Sequence, residues 1–500
     1  MADKNIQQEL STFAESENSQ TCLDCRVEQK SRLKGVTFNL PEGFEAMVRG
    51  VIGEADWDAF VDALADEPSV SIRLNSKITD NRQQTVDCGL LTVDTTEGSL
   101  SAVKWCEHGR YLSERPKFTY DPAFHAGAYY VQEASSMFVW QALSQLVERD
   151  ALVLDMCAAP GGKSTAIAQY LSDEGFLVSN EYVPQRAHVL VENITKWGAP
   201  NIVVTNNAPR HFEKLKTRFD AILVDAPCSG EGMFRKDERA REEWNPANVE
   251  MCVVRQREIL ESAWKVLKPG GVLIYSTCTF NSHENEEQVQ WLIDEMDAEY
   301  LPLKTEKDWM ITETERGYRF LPHKTRGEGL FMAAVRKQST DNRLQITDRV
   351  SKNRDTKQKN KVNKILNSQF LTLNSLGLFD VIESDNRFYA VQKDRVALVD
   401  ECRKCLNVLS FGVQMYEQKG KDLIPQAALA LSKAYKRGAY PEVELSSEEA
   451  LSFLRKEAIV LADAPRGFVL VTYNGLPLGW VKNIGNRCNN LYPEFWRIRN

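Results

Sequence analysis

Cysteine is sparse in this chain, with eleven residues in 500. That density excludes a disulfide-stapled scaffold. In a reducing compartment it leaves packing, metal binding or chemistry as the uses of a thiol. Two Cys-x-x-Cys pairs occur, Cys22/Cys25 and Cys402/Cys405. A zinc site needs four ligands, and nothing near either pair supplies the other two, so no metal is expected. The first pair reads as part of a polar tail, the second as one face of an amphipathic helix. Long apolar runs are also missing. No stretch of about 18 apolar residues exists, which argues against a transmembrane helix. Met1 to Gly35 lacks an apolar signal core, so a cytoplasmic protein is expected. Nor is there an excess of positive charge, the formal net charge being −8. A negative balance argues mildly against a nucleic-acid partner, but phosphate binding is a local matter. Residues 341–364 carry Arg343, Arg349, Lys352, Arg354, Lys357, Lys359, Lys361 and Lys364. The last stretch carries Arg466, Lys482, Arg487, Arg497 and Arg499 with few acids. Both read either as solvated surface or as RNA contacts. No internal repeat is visible.

What is present divides along the chain. Residues 1–35 read as a flexible tail. Residues 36–120 mix an amphipathic helix (Glu54 to Ala65) with short β-like runs such as Ser69 to Leu74. From 121 to 337 strands and helices alternate. The strands are Ala151 to Asp155, Phe176 to Ser179, Ile202 to Thr205, Ala221 to Asp225 and Val272 to Tyr275. Helices at Lys163 to Leu171, Gln185 to Trp197 and about Val249 to Leu267 separate them. That pattern predicts an α/β fold with a parallel sheet covered on both faces. Residues 338–365 are polar and basic, a linker. Residues 366–500 hold β-like runs (Phe468 to Tyr473) and helical stretches (Gln426 to Tyr435), and read as a separate α+β module. The sheet is expected to carry its own core, so a chain ending near residue 340 is expected to fold.

Three loops carry chemistry. The first strand runs through Asp155 into Cys157-Ala158-Ala159-Pro160-Gly161-Gly162-Lys163, a glycine pair at the start of a helix. In doubly wound folds a nucleotide-like ligand sits at that turn, because glycine lets backbone come close. A P-loop is excluded, since it needs glycine where Cys157 stands. Glu181 ends the second strand, 19 residues after Gly162, where a carboxylate can accept hydrogen bonds from a ribose diol. Asp225-Ala226-Pro227-Cys228 follows another strand. Cys278 follows Val272 to Tyr275. A lone strand cysteine is normally core. Two thiols just past strand ends, each followed by polar residues, point to reactive groups.

The stretches DMCAAPGGKS, DAPCSGEG and YSTCTFNSHENE, with YVQEASSM upstream, resemble the Nol/Nop/Sun family of RNA cytosine-5 methyltransferases. SIRLN near residue 71 is similar to that family's N-terminal RNA-binding segment. FGVQMYEQKGKDLIPQAALALS and PLGWVKNIGNRCNNLYPEFWRIR look like the C-terminal region of its bacterial small-subunit rRNA branch. The resemblance implies a Rossmann-like S-adenosylmethionine methyltransferase sheet over 121–337. It implies an N-terminal α+β RNA-binding segment at 36–120 and a C-terminal α+β, PUA-like RNA-binding region at 366–500. It also implies a monomer acting on RNA, with 16S rRNA as the expected substrate, tRNA as the alternative and no metal or membrane partner. Cys278 would be the nucleophile, Cys228 would assist product release, and Asp225 would hydrogen-bond and protonate N3. The cofactor would lie across Cys157, Ala158, Ala159, Pro160, Gly161, Gly162 and Lys163, with Glu181 on the ribose and Asp225 nearby. Lys163 would face either the cofactor or the base. Where the family has an acid near the adenine, this chain has Asn207, whose amide can still meet an adenine amine or ring nitrogen. Near the C-terminus Glu494-Phe495 stands where the family tends to be basic. A DNA enzyme would attack with the Pro-Cys cysteine instead, and a non-catalytic RNA-binding assembly protein would be expected to have lost one of the thiols.

Overall fold

The computed structural model describes residues 39–76, 85–87, 92–94, 101–338, 372–374 and 376–499. The expected tail with Cys22 and Cys25, and the basic run from Arg343 to Lys364, lie outside the described residues. The described residues begin with two short helices, α1 (Phe44–Ile52) and α2 (Trp57–Ala65). The single helix expected from Glu54 is thus the second of a pair. Gly53, at φ 92, ends the first in a positive-φ conformation that a side chain would strain. Strands β1 (Val70–Leu74), β2 (Gly109–Leu112) and β3 (Tyr129–Val131) then form an antiparallel sheet with β1 in the middle.

The central sheet contains β4 (Leu152–Asp155), β5 (Phe176–Asn180), β6 (Ile202–Thr205), β7 (Phe219–Asp225) and β8 (Leu267–Thr277). Helices α3 (Gly162–Tyr170), α4 (Pro184–Trp197) and α5 (Pro246–Val266) connect them. The order β8-β7-β4-β5-β6 is wholly parallel. Such strands are buried on both faces, which is why each carries an apolar run of three or more residues. Their side chains alternate between two cores. Val153, Leu177 and Ile274 pack on one face with Ile167 of α3 and Leu190 of α4. Leu154, Val178 and Leu273 pack on the other with Ile259, Leu260 and Ala263 of α5. Beyond β8 the sheet continues antiparallel. After α6 (Glu286–Met296) come β9 (Ala298–Tyr300), β10 (Thr312–Thr314), β11 (Gly317–Phe320) and β12 (Leu330–Lys337), with β12 beside β8 and β9 pairing with β12.

The C-terminal region is not separate from this sheet. It contains β13 (Phe379–Ser384), β14 (Arg387–Gln392), α7 (Val396–Cys405) and β15 (Val408–Phe411). Strand β15 pairs antiparallel with β6 and closes the open edge of the sheet. Leu398, Val399, Cys402, Leu406 and Phe411 complete the α5-side core. Sequence alone set the boundary at a polar linker. An unpaired edge strand leaves its backbone groups open, so the next available strand covers it. Cys402 is buried in the α5-side core and Cys405 packs against it half-buried, so the two lie on one face of the helix, as expected.

Further on, β16 (Val413–Lys419) and β17 (Asp422–Pro425) join β13 and β14 in one four-stranded sheet. Helix α8 (Ala427–Leu431) follows, then β18 (Glu442–Glu444), α9 (Ser447–Leu454), β19 (Gly467–Tyr473), β20 (Leu476–Asn483) and β21 (Cys488–Asn490), whose strands form another. The helix expected from Gln426 to Tyr435 stops at Leu431, because Lys433 turns its N–H to the Gly198 carbonyl at the end of α4. None of the helices described is long and apolar enough to cross a membrane.

Candidate functional site

All the chemistry-bearing loops leave the carboxyl ends of the parallel strands, where open α/β sheets form their ligand crevice. Gly161, at φ 117, makes the left-handed turn that starts α3 after β4. Its neighbour Lys163 is buried and reaches across to the end of β7, with Nζ 2.8 Å from Asp225 Oδ2. Burial works against the Lys163 charge, but Asp225 overcomes it and holds the ammonium above the ordinary lysine value. Cys278 is also within electrostatic reach of Lys163. Ser276 on β8 donates to the other Asp225 oxygen at 2.7 Å.

The two thiols meet. Cys228 Sγ lies 3.3 Å from Cys278 Sγ, the two coming from the loops after the adjacent strands β7 and β8. The Cys278 sulfur, reinforced by burial, pushes the Cys228 thiol well above its ordinary value. Two buried carboxylates lock these loops. Glu284 accepts from Ser229 N at 3.0 Å, Asn281 Nδ2 at 2.9 Å and Gln256 Nε2 at 2.8 Å, and also from the Ser229 hydroxyl. Glu231 accepts from Phe280 N at 2.6 Å, Asn281 N at 3.0 Å and Trp244 Nε1 at 3.1 Å. Gly232 passes so close to Cys278 that a Cβ there would stand 2.9 Å from the Cys278 carbonyl oxygen. Glu231 and Glu284 went unassigned from the sequence, although both lie inside the motif stretches. Their only signal was a carboxylate directly beside a glycine or an asparagine, which sequence cannot distinguish from a solvated acid.

The cofactor-side loops form a second network. Glu181 is buried behind the first loop and accepts from Ala159 N at 3.3 Å and Val183 N at 2.8 Å, with Arg186 3.8 Å away. Burial, with Asp155 and Glu181 nearby, raises the Cys157 thiol well above its usual range. Asn180 ties three loops together. Its Nδ2 donates to Met156 O at 3.1 Å and Asn207 O at 3.0 Å, while its Oδ1 accepts from Asn207 N at 3.0 Å. Asn207 differs from expectation. Its Nδ2 donates to Asn407 O at 3.1 Å and its Oδ1 accepts from Asn407 N at 3.0 Å. Both polar atoms of the amide expected at an adenine bond to C-terminal backbone.

The SIRLN segment also differs from an RNA-facing reading. Arg73 is fully buried and donates to Gln132 Oε1 at 2.8 Å, Thr165 Oγ1 at 2.5 Å and the Gly162 carbonyl at 3.2 Å. Burial lowers it to about 10. Its guanidinium stacks over Trp197, 4.5 Å from the ring centroid. It therefore braces the glycine turn and α3. Near the C-terminus two of the expected cations are paired, Lys482 with Asp422 at 2.9 Å and Arg497 with Glu494 at 2.9 Å. Phe495 is 91% exposed. Among the described residues no group of three or more His, Cys, Asp or Glu could hold a metal ion.

Comparison with known proteins agrees with this architecture. The family model described as 16S rRNA methyltransferase RsmB/F matches residues 142–336. That of the N-terminal domain of 16S rRNA methyltransferase RsmF matches 40–134, and that of the methyltransferase RsmF PUA domain matches 440–498. Ribosomal RNA small subunit methyltransferase F of Aliivibrio salmonicida is 31% identical over 472 residues, covering 91% of this chain and 97% of the relative. The protein of that name from Klebsiella pneumoniae (strain 342) is 33% identical over 477 residues, covering 92% and 96%. The crystal structure of PH0851 shares the fold, with a TM-score of 0.50 at 22% identity over 66% of this chain and 70% of that one.

Proposed function

This chain belongs to the ribosomal RNA small subunit methyltransferase F family, and on that premise we propose that it methylates carbon 5 of a cytosine in small-subunit ribosomal RNA through a covalent adduct with Cys278. The observation that carries the reading is the thiol pair, Cys228 and Cys278 at 3.3 Å, beside the Lys163–Asp225 ion pair. The first loop fits S-adenosylmethionine. Ala158, Ala159 and the glycine pair leave backbone bare, Gly161 has little room for a Cβ (3.2 Å from Leu190), and Glu181 lies behind Ala159 to receive a ribose. When bound there, S-adenosylmethionine supplies an electrophilic methyl group.

The residues divide the work. Carbon 5 of cytosine is a weak nucleophile. A thiolate adding to carbon 6 forms an S–C bond and pushes the ring electrons toward carbon 5 and N3, which makes carbon 5 able to attack. An ordinary thiol has pKa ~8.5 and is only a few per cent thiolate at neutral pH. Cys228, kept as a neutral thiol, donates toward the Cys278 sulfur, and the Lys163 ammonium stabilises its negative charge. The Lys163–Asp225 pair holds the proton that N3 takes up as electrons arrive there. After transfer the carbon-5 proton leaves to water, the C6–S bond breaks as carbons 5 and 6 regain their double bond, N3 returns its proton to the Lys163–Asp225 pair, and Cys228 assists release by donating its hydrogen bond to the departing Cys278 thiolate. The segment matched at 440–498 holds the RNA by its backbone, through contacts that position without reading sequence.

The test is a pair of variants with a transcript of small-subunit rRNA. Cys278→Ala should abolish transfer while still binding cofactor. Cys228→Ala should accumulate a protein–RNA adduct, seen as a slow band on a denaturing gel. An adduct in Cys278→Ala and none in Cys228→Ala would reverse the two roles. Bisulfite sequencing of the product locates the methyl group, and conversion at every cytosine would overturn carbon-5 methylation.

A further inference from the structure

We propose that Asn207 is a positioning residue that holds the cofactor loops in register by clamping them to the backbone of Asn407 in the C-terminal region. This rests on the cofactor reading above. The antiparallel ladder between β6 and β15 pairs Thr205 with Val408 at its upper end. Beyond that rung no further strand pairing exists, but the hydrogen bonds continue. Asn206 N donates to Asn407 O at 2.9 Å. The Asn207 side-chain amide donates to the same carbonyl and accepts from Asn407 N–H. A primary amide has the donor and acceptor of a peptide group. Asn207 therefore acts as an extra rung of the sheet, built from a side chain.

The clamp sits where it can act on the cofactor. Asn206 Nδ2 donates to the carbonyls of Glu181 at 2.7 Å and Tyr182 at 2.9 Å. Glu181 N donates to Thr205 O, and Asn180 joins Asn207 to Met156. Asn207 is buried, so these bonds are made with little competition from water. The residue type is specific. An aspartate could accept from Asn407 N–H but would oppose its carbonyl with a second oxygen, and alanine would leave both groups without this partner. Asn407 itself is exposed and takes part through its main chain. Residue 207 thus makes cofactor affinity depend on a segment some 200 positions away.

The experiment is calorimetry with S-adenosylhomocysteine on the full chain, together with steady-state kinetics. Asn207→Ala and Asn207→Asp should each weaken binding by about three- to tenfold, the loss expected for one or two neutral hydrogen bonds. KM for S-adenosylmethionine should rise by a similar factor while kcat at saturation stays near the wild-type value. Asn407→Ala, which keeps the backbone, should bind as wild type. If Asn207→Asp binds as tightly as wild type while Asn207→Ala does not, the side chain contacts the adenine directly and the clamp is overturned. Unchanged affinity in both Asn207 variants, with Glu181→Ala weakened, also overturns it. Failure of wild-type protein to bind S-adenosylhomocysteine overturns the cofactor reading instead.

Discussion

The two sides of the crevice are held in different ways. On the thiol side, the loops carrying Cys228 and Cys278 are fixed by Glu231 and Glu284, buried carboxylates a few residues from the thiols themselves. On the cofactor side, the loops after β4, β5 and β6 are fixed partly from outside. Asn407 meets Asn206 and Asn207, and β15 closes the sheet edge beyond β6. The ion pair of Glu181 with Arg186 is local, but the loop after β6 depends on the C-terminal region. The contrast teaches that the thiol pair is held by its own loops, whereas the loops after β4, β5 and β6 are braced from both ends of the chain.

The largest expected effect breaks the comparison by removing the outside support. A chain ending at Lys337 loses Leu398, Val399, Cys402, Leu406 and Phe411 from the α5-side core. It also loses Glu401, which accepts from Lys216 N and Thr217 Oγ1 at 2.5 Å each. At about 1.5–3 kcal/mol per fully buried aliphatic or aromatic side chain, the deficit is comparable to the whole stability of an ordinary domain. Scanning calorimetry should show no cooperative transition in the truncated chain. A sharp transition at the full-length temperature would mean that the catalytic sheet stands alone.

A smaller effect sharpens the thiol side. Glu231→Ala leaves the N–H groups of Phe280 and Asn281 and the Trp244 indole without their acceptor. It should destabilise the fold by about 3 kcal/mol, within the range for losing hydrogen bonds to a charged group. Because Glu231 is local to the thiols, methyl transfer should fall more than cofactor affinity does. Urea titration and calorimetry measure the two. Equal losses in both would make the thiol loops no more self-contained than the cofactor loops.

A further effect concerns pH. Asp155, at the end of β4, lies beneath both halves. Burial raises its carboxyl to about 7, against the pull of the Ser164 hydroxyl, which donates to it at 2.6 Å. The unfolded chain releases that proton near the ordinary value of about 3.9. The folded state therefore binds more protons between about 4 and 7, and this group's contribution to stability falls as pH rises through that window. Asp155→Asn removes the titration. Its melting temperature should gain on the wild type between pH 5 and pH 8. A difference that does not change with pH would mean that Asp155 is ionised throughout in the fold.

Much of this was legible in the sequence because it is local. Parallel strands such as Leu152–Asp155 and Ile202–Thr205 must be apolar on both faces, so they stand out as runs. Cys157 to Lys163, Asp225, Cys228 and Cys278 all follow such runs directly, and strand ends are where this architecture gathers its chemistry. The α3 and α4 helices were readable from the same alternation. Less legible was α1, hidden by the turn at Gly53, and the early end of α8, set by a hydrogen bond to Gly198.

The sequence by itself determined which thiols and which glycine loop stand at strand ends, since both follow from residue type and spacing along one strand–loop–helix unit. Only the tertiary structure decided what those residues face. It set the 3.3 Å approach of the two sulfurs, the pairing of Lys163 with Asp225, the burial of Arg73 under the glycine turn and the capture of Asn207 by Asn407. Each joins positions between about 50 and 200 residues apart. A buried polar group must find a partner, but nothing in its local sequence says which of many distant groups the packed chain will bring to it.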